Sequence, residues 1–130
     1  MPKAVVLSYA DIEAAGACAD ALALVPQWYP EGFPLTAEAI DRLMAHDWTW
    51  GQWLVTSPLC PRSLSDAYRA QVKPLDEAHW AQWESLDWAQ WESLSDAYRA
   101  QVKLLDGAHW AQRKSLVRAT LLAWGGQGDA

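Results

Sequence analysis

Positive charge is what this sequence is shortest of. Ten lysines and arginines stand against sixteen aspartates and glutamates, a formal charge of −6 at pH 7. Nucleic-acid binding needs a basic face to displace phosphate counterions, so direct binding to DNA or RNA is not expected. A basic protein or ribonucleoprotein groove is a better electrostatic match, because opposite fields steer encounter. Modest acidity also serves simply to keep a small protein soluble. Long apolar runs are missing too. No stretch approaches the ~20 residues that span a bilayer. The N-terminal run Ala4-Val5-Val6-Leu7 is too short for the apolar core of a signal peptide. A cytoplasmic protein with no membrane partner is the expectation.

Cysteine is sparse and unpatterned. Cys18 and Cys60 lie far apart and belong to no CxxC motif, so both are expected to be reduced, buried, small apolar residues. The sequence contains no GxSxG, P-loop, GxGxxG or HExxH motif. Asp76 with His79, and Asp106 with His109, are i, i+3 pairs. Two donors on one helix without a third do not define a metal site, so no metal and no cofactor are expected. The histidines occupy equivalent places in a repeat, which points to a shared packing site rather than to catalysis. A binding protein is expected, not an enzyme.

The repeat is the strongest feature present. Residues 63–86 (SLSDAYRAQVKPLDEAHWAQWESL) and 93–116 (SLSDAYRAQVKLLDGAHWAQRKSL) are identical at 20 of 24 positions. A finer period of 11 lies inside, in DAYRAQVKPLD (66–76), EAHWAQWESLD (77–87), DAYRAQVKLLD (96–106) and GAHWAQRKSLV (107–117). Between them WAQWESLS (88–95) is the same unit without its first three residues. Eleven residues over three turns is about 3.67 per turn, close to the helical value, so one face can persist over many turns. At about 100° per residue, Leu75, Tyr68 and Val72 form an apolar arc with Ala67 and Ala70 at one edge, where a second helix could approach. Asp66, Lys73 and Asp76 fall on the polar side. Pro74 suits the first turn of a new helix and Ser93 resembles a cap, so boundaries are expected near 73–75 and 93–95.

The N-terminal half, residues 1–62, is unrelated to the repeat. Ser8 opens a short helix that Gly16 ends, and an apolar helix covers about 17–25. Pro26, Pro30, Gly32 and Pro34 mark a loop carrying Trp28, Tyr29 and Phe33. Thr36 caps a helix to about His46, and Asp47 caps another over 48–55. Trp48, Trp50 and Trp53 are expected in the core; a ligand platform is the alternative. A short strand at 4–7 is left open. The fold class is therefore all-α, a helical bundle with an 11-residue-repeat C-terminal half. It forms a single domain over 1–130, comprising an N-terminal helical half (1–62), the helical repeats (63–117) and a flexible tail (125–130).

One segment departs from a bland surface. Between Pro74 and Tyr98 stand six acidic residues, Asp76, Glu77, Glu84, Asp87, Glu92 and Asp96, and no lysine or arginine. The fourth position of the unit is arginine at 69 and 99 but tryptophan at 80, 88 and 110. Trp80 and Trp88 thus fall among carboxylates on a side the repeat otherwise keeps polar. Two outcomes are open: the N-terminal half covers this side and buries the tryptophans, or acid-flanked indoles face solvent as anchors for a basic groove. In the second case the partner-binding residues are Asp76, Glu77, Trp80, Glu84, Asp87, Trp88, Glu92 and Asp96.

The stretch Gly16-Ala17-Cys18-Ala19-Asp20-Ala21-Leu22, with Asp47-Trp48 and Trp53-Leu54, resembles an N-terminal module of small bacteriophage and prophage proteins often followed by alanine-rich helical repeats. The Pro-rich insert at 26–34 departs from it. In size and acidity the chain resembles the anti-CRISPR inhibitors, some of which mimic DNA. No anti-CRISPR residue maps onto this sequence, because no motif is shared. The resemblance implies a phage-type inhibitor acting in the bacterial cytoplasm, blocking a basic nucleic-acid-binding surface of a CRISPR interference complex with carboxylates in place of phosphates. A monomer is expected. The rival reading is a helical scaffold or oligomerisation module that packs chain against chain along Ala67, Ala70, Ala78 and Ala81.

Overall fold

Local capping sets where the N-terminal helices begin. The Ser8 hydroxyl accepts the Asp11 N–H at 3.2 Å and opens a first helix, and Gly16, at φ 98°, turns the chain away after it. In the same way Thr36 Oγ1 accepts the Ala39 N–H at 3.2 Å. Asp47 leaves helical geometry (φ −157°, ψ 102°) and its Oδ1 accepts the Thr49 N–H at 3.0 Å, restarting the helix on a new axis. The computed structural model describes residues 4–84 and 96–126. In chain order these form β1 (Val6–Leu7), α1 (Tyr9–Ala14), α2 (Ala19–Trp28), β2 (Phe33–Pro34), α3 (Ala37–Thr56, kinked at Asp47), α4 (Arg62–Glu84) and α5 (Asp96–Gly126). The architecture is an all-α bundle carrying one two-stranded antiparallel ribbon, with Val6 opposite Pro34 and Leu7 opposite Phe33. The strand left open at 4–7 is therefore real at its second half.

Two expected helix ends are absent, and the reason is the same in both. α2 continues past Val25 through Pro26 to Trp28, and α4 runs unbroken through Pro74. A proline inside a helix withdraws one N–H and crowds the preceding turn, a local cost of about 3 kcal/mol. Here the bonding resumes at once after Pro26, where Tyr29 N–H reaches Val25 O at 3.0 Å. Pro74 and Ala70 both lie on the exposed side of α4, where water can satisfy the freed carbonyl. The boundary expected at 93–95 lies outside the described residues.

α4 and α5 pack side by side, and α3 packs mainly against α5. Gly51 lets α3 and α5 close up: a Cβ there would stand 2.6 Å from Met44 Sδ, 3.0 Å from Val117 Cγ1 and 3.3 Å from Leu121 Cδ1. Phe33, Ile40, Val55, Tyr68, Val117 and Leu121 are fully buried and form the centre of one core shared by all these elements. Gly125 belongs to that core rather than to a loose tail. A Cβ at its position would collide with the Leu35 carbonyl oxygen, and its own carbonyl accepts the Val5 N–H at 3.3 Å. Only 127–130 of the expected tail lie outside the described residues. Cys60 is buried as expected, whereas Cys18 is exposed at the start of α2; neither is in a disulfide.

The alanine edge is not where the repeat helices meet. Ala67, Ala70, Ala78 and Ala81 are exposed on α4, as are Ala100, Ala108 and Ala111 on α5. The inward stripe of α4 is instead Ser65, Tyr68, Val72, Asp76, His79 and Trp83. A large aromatic and a branched aliphatic bury more area than alanine methyls, and the helix turns to bury them.

Candidate functional site

The duplication explains how α4 and α5 recognise one another. Each copy carries Asp-x-x-His on one face, Asp76/His79 on α4 and Asp106/His109 on α5. His109 Nε2 lies 2.8 Å from Asp76 Oδ1, and His79 Nε2 lies 2.8 Å from Asp106 Oδ1. Residue numbers rise by three on one helix as they fall by three on the other, which is an antiparallel register. The contact is a pseudo-two-fold one: each Asp meets the His of the other copy, as in a symmetric dimer folded into one chain. Between the two pairs the imidazoles stack, with centroids 4.0 Å apart and planes 6° from parallel. Continuing the register sets Val72 opposite Arg113 and Tyr68 opposite Val117. The expectation that the histidines share a packing site holds, and their site is each other.

Further bonds tie off this knot. Trp83 Nε1–H reaches Asp106 Oδ1 at 2.9 Å, so with the His79 proton on Nε2 that carboxylate accepts from both rings. Arg113 Nη1 stands 3.6 Å from Asp76 Oδ1. Among the described residues, the buried His109 Nδ1 and Arg113 Nε find no hydrogen-bond partner. Each histidine is turned to its own carboxylate, and among the described residues no group of three metal-ligating side chains converges.

This geometry gives one of the expected binding residues a partner within the chain. Asp76 sits at the hairpin seam, its carboxylate paired with His109 and Arg113 while its side chain stays 45% exposed. The helical wheel put it on the polar side, and so it is; two polar sides meet because the duplication makes them complementary. Glu77, Trp80 and Glu84 point the other way. All three are exposed, Trp80 to 65% of its surface. Spacings of three and four residues put them on one face of α4. Among the described residues no cation lies within ion-pair distance of Glu77 or Glu84. Of the two outcomes open for Trp80, exposure is the one observed. Asp87, Trp88 and Glu92 lie outside the described residues. Asp96 is the first residue of α5, and its side chain lies outside them also.

The third tryptophan of the series behaves differently. Trp110 packs on Trp48 of α3 at 5.6 Å, with Arg113 over its ring at 5.5 Å. The same place in the unit is thus a contact to α3 in α5, where the ring stays 41% exposed, and a ring 65% exposed in α4. Two exposed arginines of the repeat helices also reach residues of the N-terminal half. Arg118 makes a two-pronged pair with Asp41 of α3, Nε–Oδ1 2.7 Å and Nη2–Oδ2 3.2 Å, which holds the Asp41 carboxyl below its ordinary pKa. Arg69 Nη2 donates to the Thr56 carbonyl at 3.3 Å. The knot was readable from the duplicated Asp-x-x-His had antiparallel pairing been assumed.

No known protein family, curated protein or solved structure matches this chain. No described helix is long and apolar enough to cross a membrane.

Proposed function

We propose that this chain is a binding protein, not an enzyme, that docks through the outer face of α4 onto a basic surface of a protein or ribonucleoprotein. Trp80 is the anchor, and Glu77 and Glu84 are the flanking charges. The observation that carries this reading is an indole left 65% exposed between two carboxylates that no described cation neutralises. Burying a large apolar side chain is worth about 1.5–3 kcal/mol, so an exposed indole holds that much in reserve for a partner. Asp87, Trp88, Glu92 and Asp96 extend the same acidic segment and belong to the proposal as its continuation. In the finer form suggested by the resemblance to small phage proteins, the partner is the nucleic-acid-binding surface of a CRISPR interference complex and the carboxylates stand in for phosphates.

The test is a pull-down of interference complexes from bacterial host lysate at low and high salt, using the wild type, Trp80→Ala and the double variant Glu77→Lys, Glu84→Lys. Binding should weaken as salt rises and be lost in both variants while helicity is kept. Full retention by the charge-reversed variant would refute the site. The scaffold alternative is supported by a different observation: the exposed alanines and an open groove between α4 and α5 floored by Ala70, Pro74, Leu75, Ala111 and Ala119. Light scattering separates the two, since a concentration-independent monomer is incompatible with chain-to-chain packing.

A further inference from the structure

A second concavity is lined by residues of the N-terminal half, none of them from α4. α1, α2, the β2 strand and the second arm of α3 enclose a half-open cavity of about 350 Å³. Tyr9, Phe33, Trp50 and Trp53 supply aromatic walls, Leu22 and Leu54 are among its aliphatic ones, and the small residues Gly16, Ala17, Cys18 and Ala21 leave the opening. Among the described residues no lysine, arginine, histidine, aspartate or glutamate lines it.

The few polar groups in the wall are already engaged. The Tyr9 hydroxyl donates to the Tyr29 carbonyl, and burial with Tyr29 nearby pushes its pKa up, so it stays protonated and shows the cavity only its ring. Thr49 Oγ1 donates to Asp47 Oδ1 at 2.5 Å. Cys18 is the exception. It occupies the cap position of α2 without bonding a helix N–H, is exposed, and is free of any disulfide. A charged ligand would lose its hydration here and find no counter-charge. A volume of about 150 Å³ accommodates benzene in an apolar protein cavity, and natural ligand clefts begin at about 300 Å³. The space observed corresponds to a molecule about twice the size of benzene.

From these walls we infer that the cavity is a binding site for a small uncharged aromatic molecule of about two rings, stacked between Trp50 and Trp53 with Cys18 at the rim. The site is independent of the α4 face, and either can fail without the other. Binding is driven by filling a concavity whose wall atoms otherwise lack apolar contacts on one side.

The neutral dye N-phenyl-1-naphthylamine is a direct probe, read by energy transfer from the wall tryptophans. Wild-type protein should give saturable one-to-one binding. Ala21→Phe, which fills the opening, should weaken it by at least about tenfold, while Ala111→Phe in the α4–α5 groove should leave it unchanged. A non-saturating signal, or equal binding by Ala21→Phe, would overturn the assignment. Should Ala21→Phe lose helicity, alkylation of Cys18 in the wild type decides: saturating probe should slow it relative to the denatured chain, and an unchanged rate overturns the site.

Discussion

The two halves of this molecule are held together in opposite ways. Residues 4–60 use short elements of unrelated sequence, locally capped, around apolar side chains, and leave an aromatic-walled cavity where α1, α2 and α3 fail to fill the space. Residues 62–126 use one sequence twice, in two long helices, and join them by polar groups that the duplication supplies in matched sets. In the first half, specificity comes from shape. In the second it comes from symmetry, because any Asp-x-x-His face that is repeated and folded back meets its own complement. The price of the symmetric solution is buried polar atoms that find no partner among the described residues, at His109 Nδ1 and Arg113 Nε.

The sharpest break is expected in the apolar half. Phe33→Ala removes a ring that is 1% exposed at the meeting point of the ribbon and the helices. It should cost about 3–5 kcal/mol by denaturant unfolding. Next comes the junction between halves. Gly125→Ala forces a Cβ against the Leu35 carbonyl, and overpacking of this kind should cost about 1–3 kcal/mol, with the backbone contact placing it at the upper end.

The hairpin should respond through coupling rather than size. Asp106→Asn and His79→Ala should each destabilise by about 1–2 kcal/mol, and a double-mutant cycle between them should show an interaction of about 0.5–3 kcal/mol. The same cycle between Asp106 and the exposed Ala78 should give nothing. Additive effects at Asp106 and His79 would remove the knot as the organiser of the hairpin.

The smallest effect is expected at Asp41, where the pair with Arg118 is solvent-exposed and joins the halves from outside. Its pKa is held down by the hydrogen bond from Arg118, so the stabilisation is present above the ordinary carboxylate range and disappears as pH falls through the lowered folded value. Asp41→Asn should therefore melt slightly below wild type at neutral pH and converge with it in acid. A thermal-denaturation series across pH checks this.

Legibility followed the range of the interactions. The caps at Ser8, Thr36 and Asp47 were readable because a side chain and the N–H it accepts lie two or three residues apart. Helicity of the repeat was readable because an 11-residue period matches three helical turns. Pro26 and Pro74 misled because a local penalty was outweighed by packing of the residues around them. The alanine edge misled for a related reason: a wheel ranks faces of a lone helix, whereas Tyr68, Val72 and the complementary Asp76 and His79 decide which face a second helix takes. The pairing of Asp76 with His109 was hidden for the same reason. Cys18 and the cavity it borders depend on α1, α2 and α3 converging, and nothing local reports that.

Composition and period by themselves determined that this chain is helical, acidic and duplicated, since those properties belong to residues and their neighbours along the chain. Only the tertiary structure decided that Trp80 faces water while Trp110 meets Trp48, and that Asp76 belongs to the seam while Glu77 does not. The physical reason is that equivalent positions in two copies become inequivalent once α3 packs against one helix more than the other.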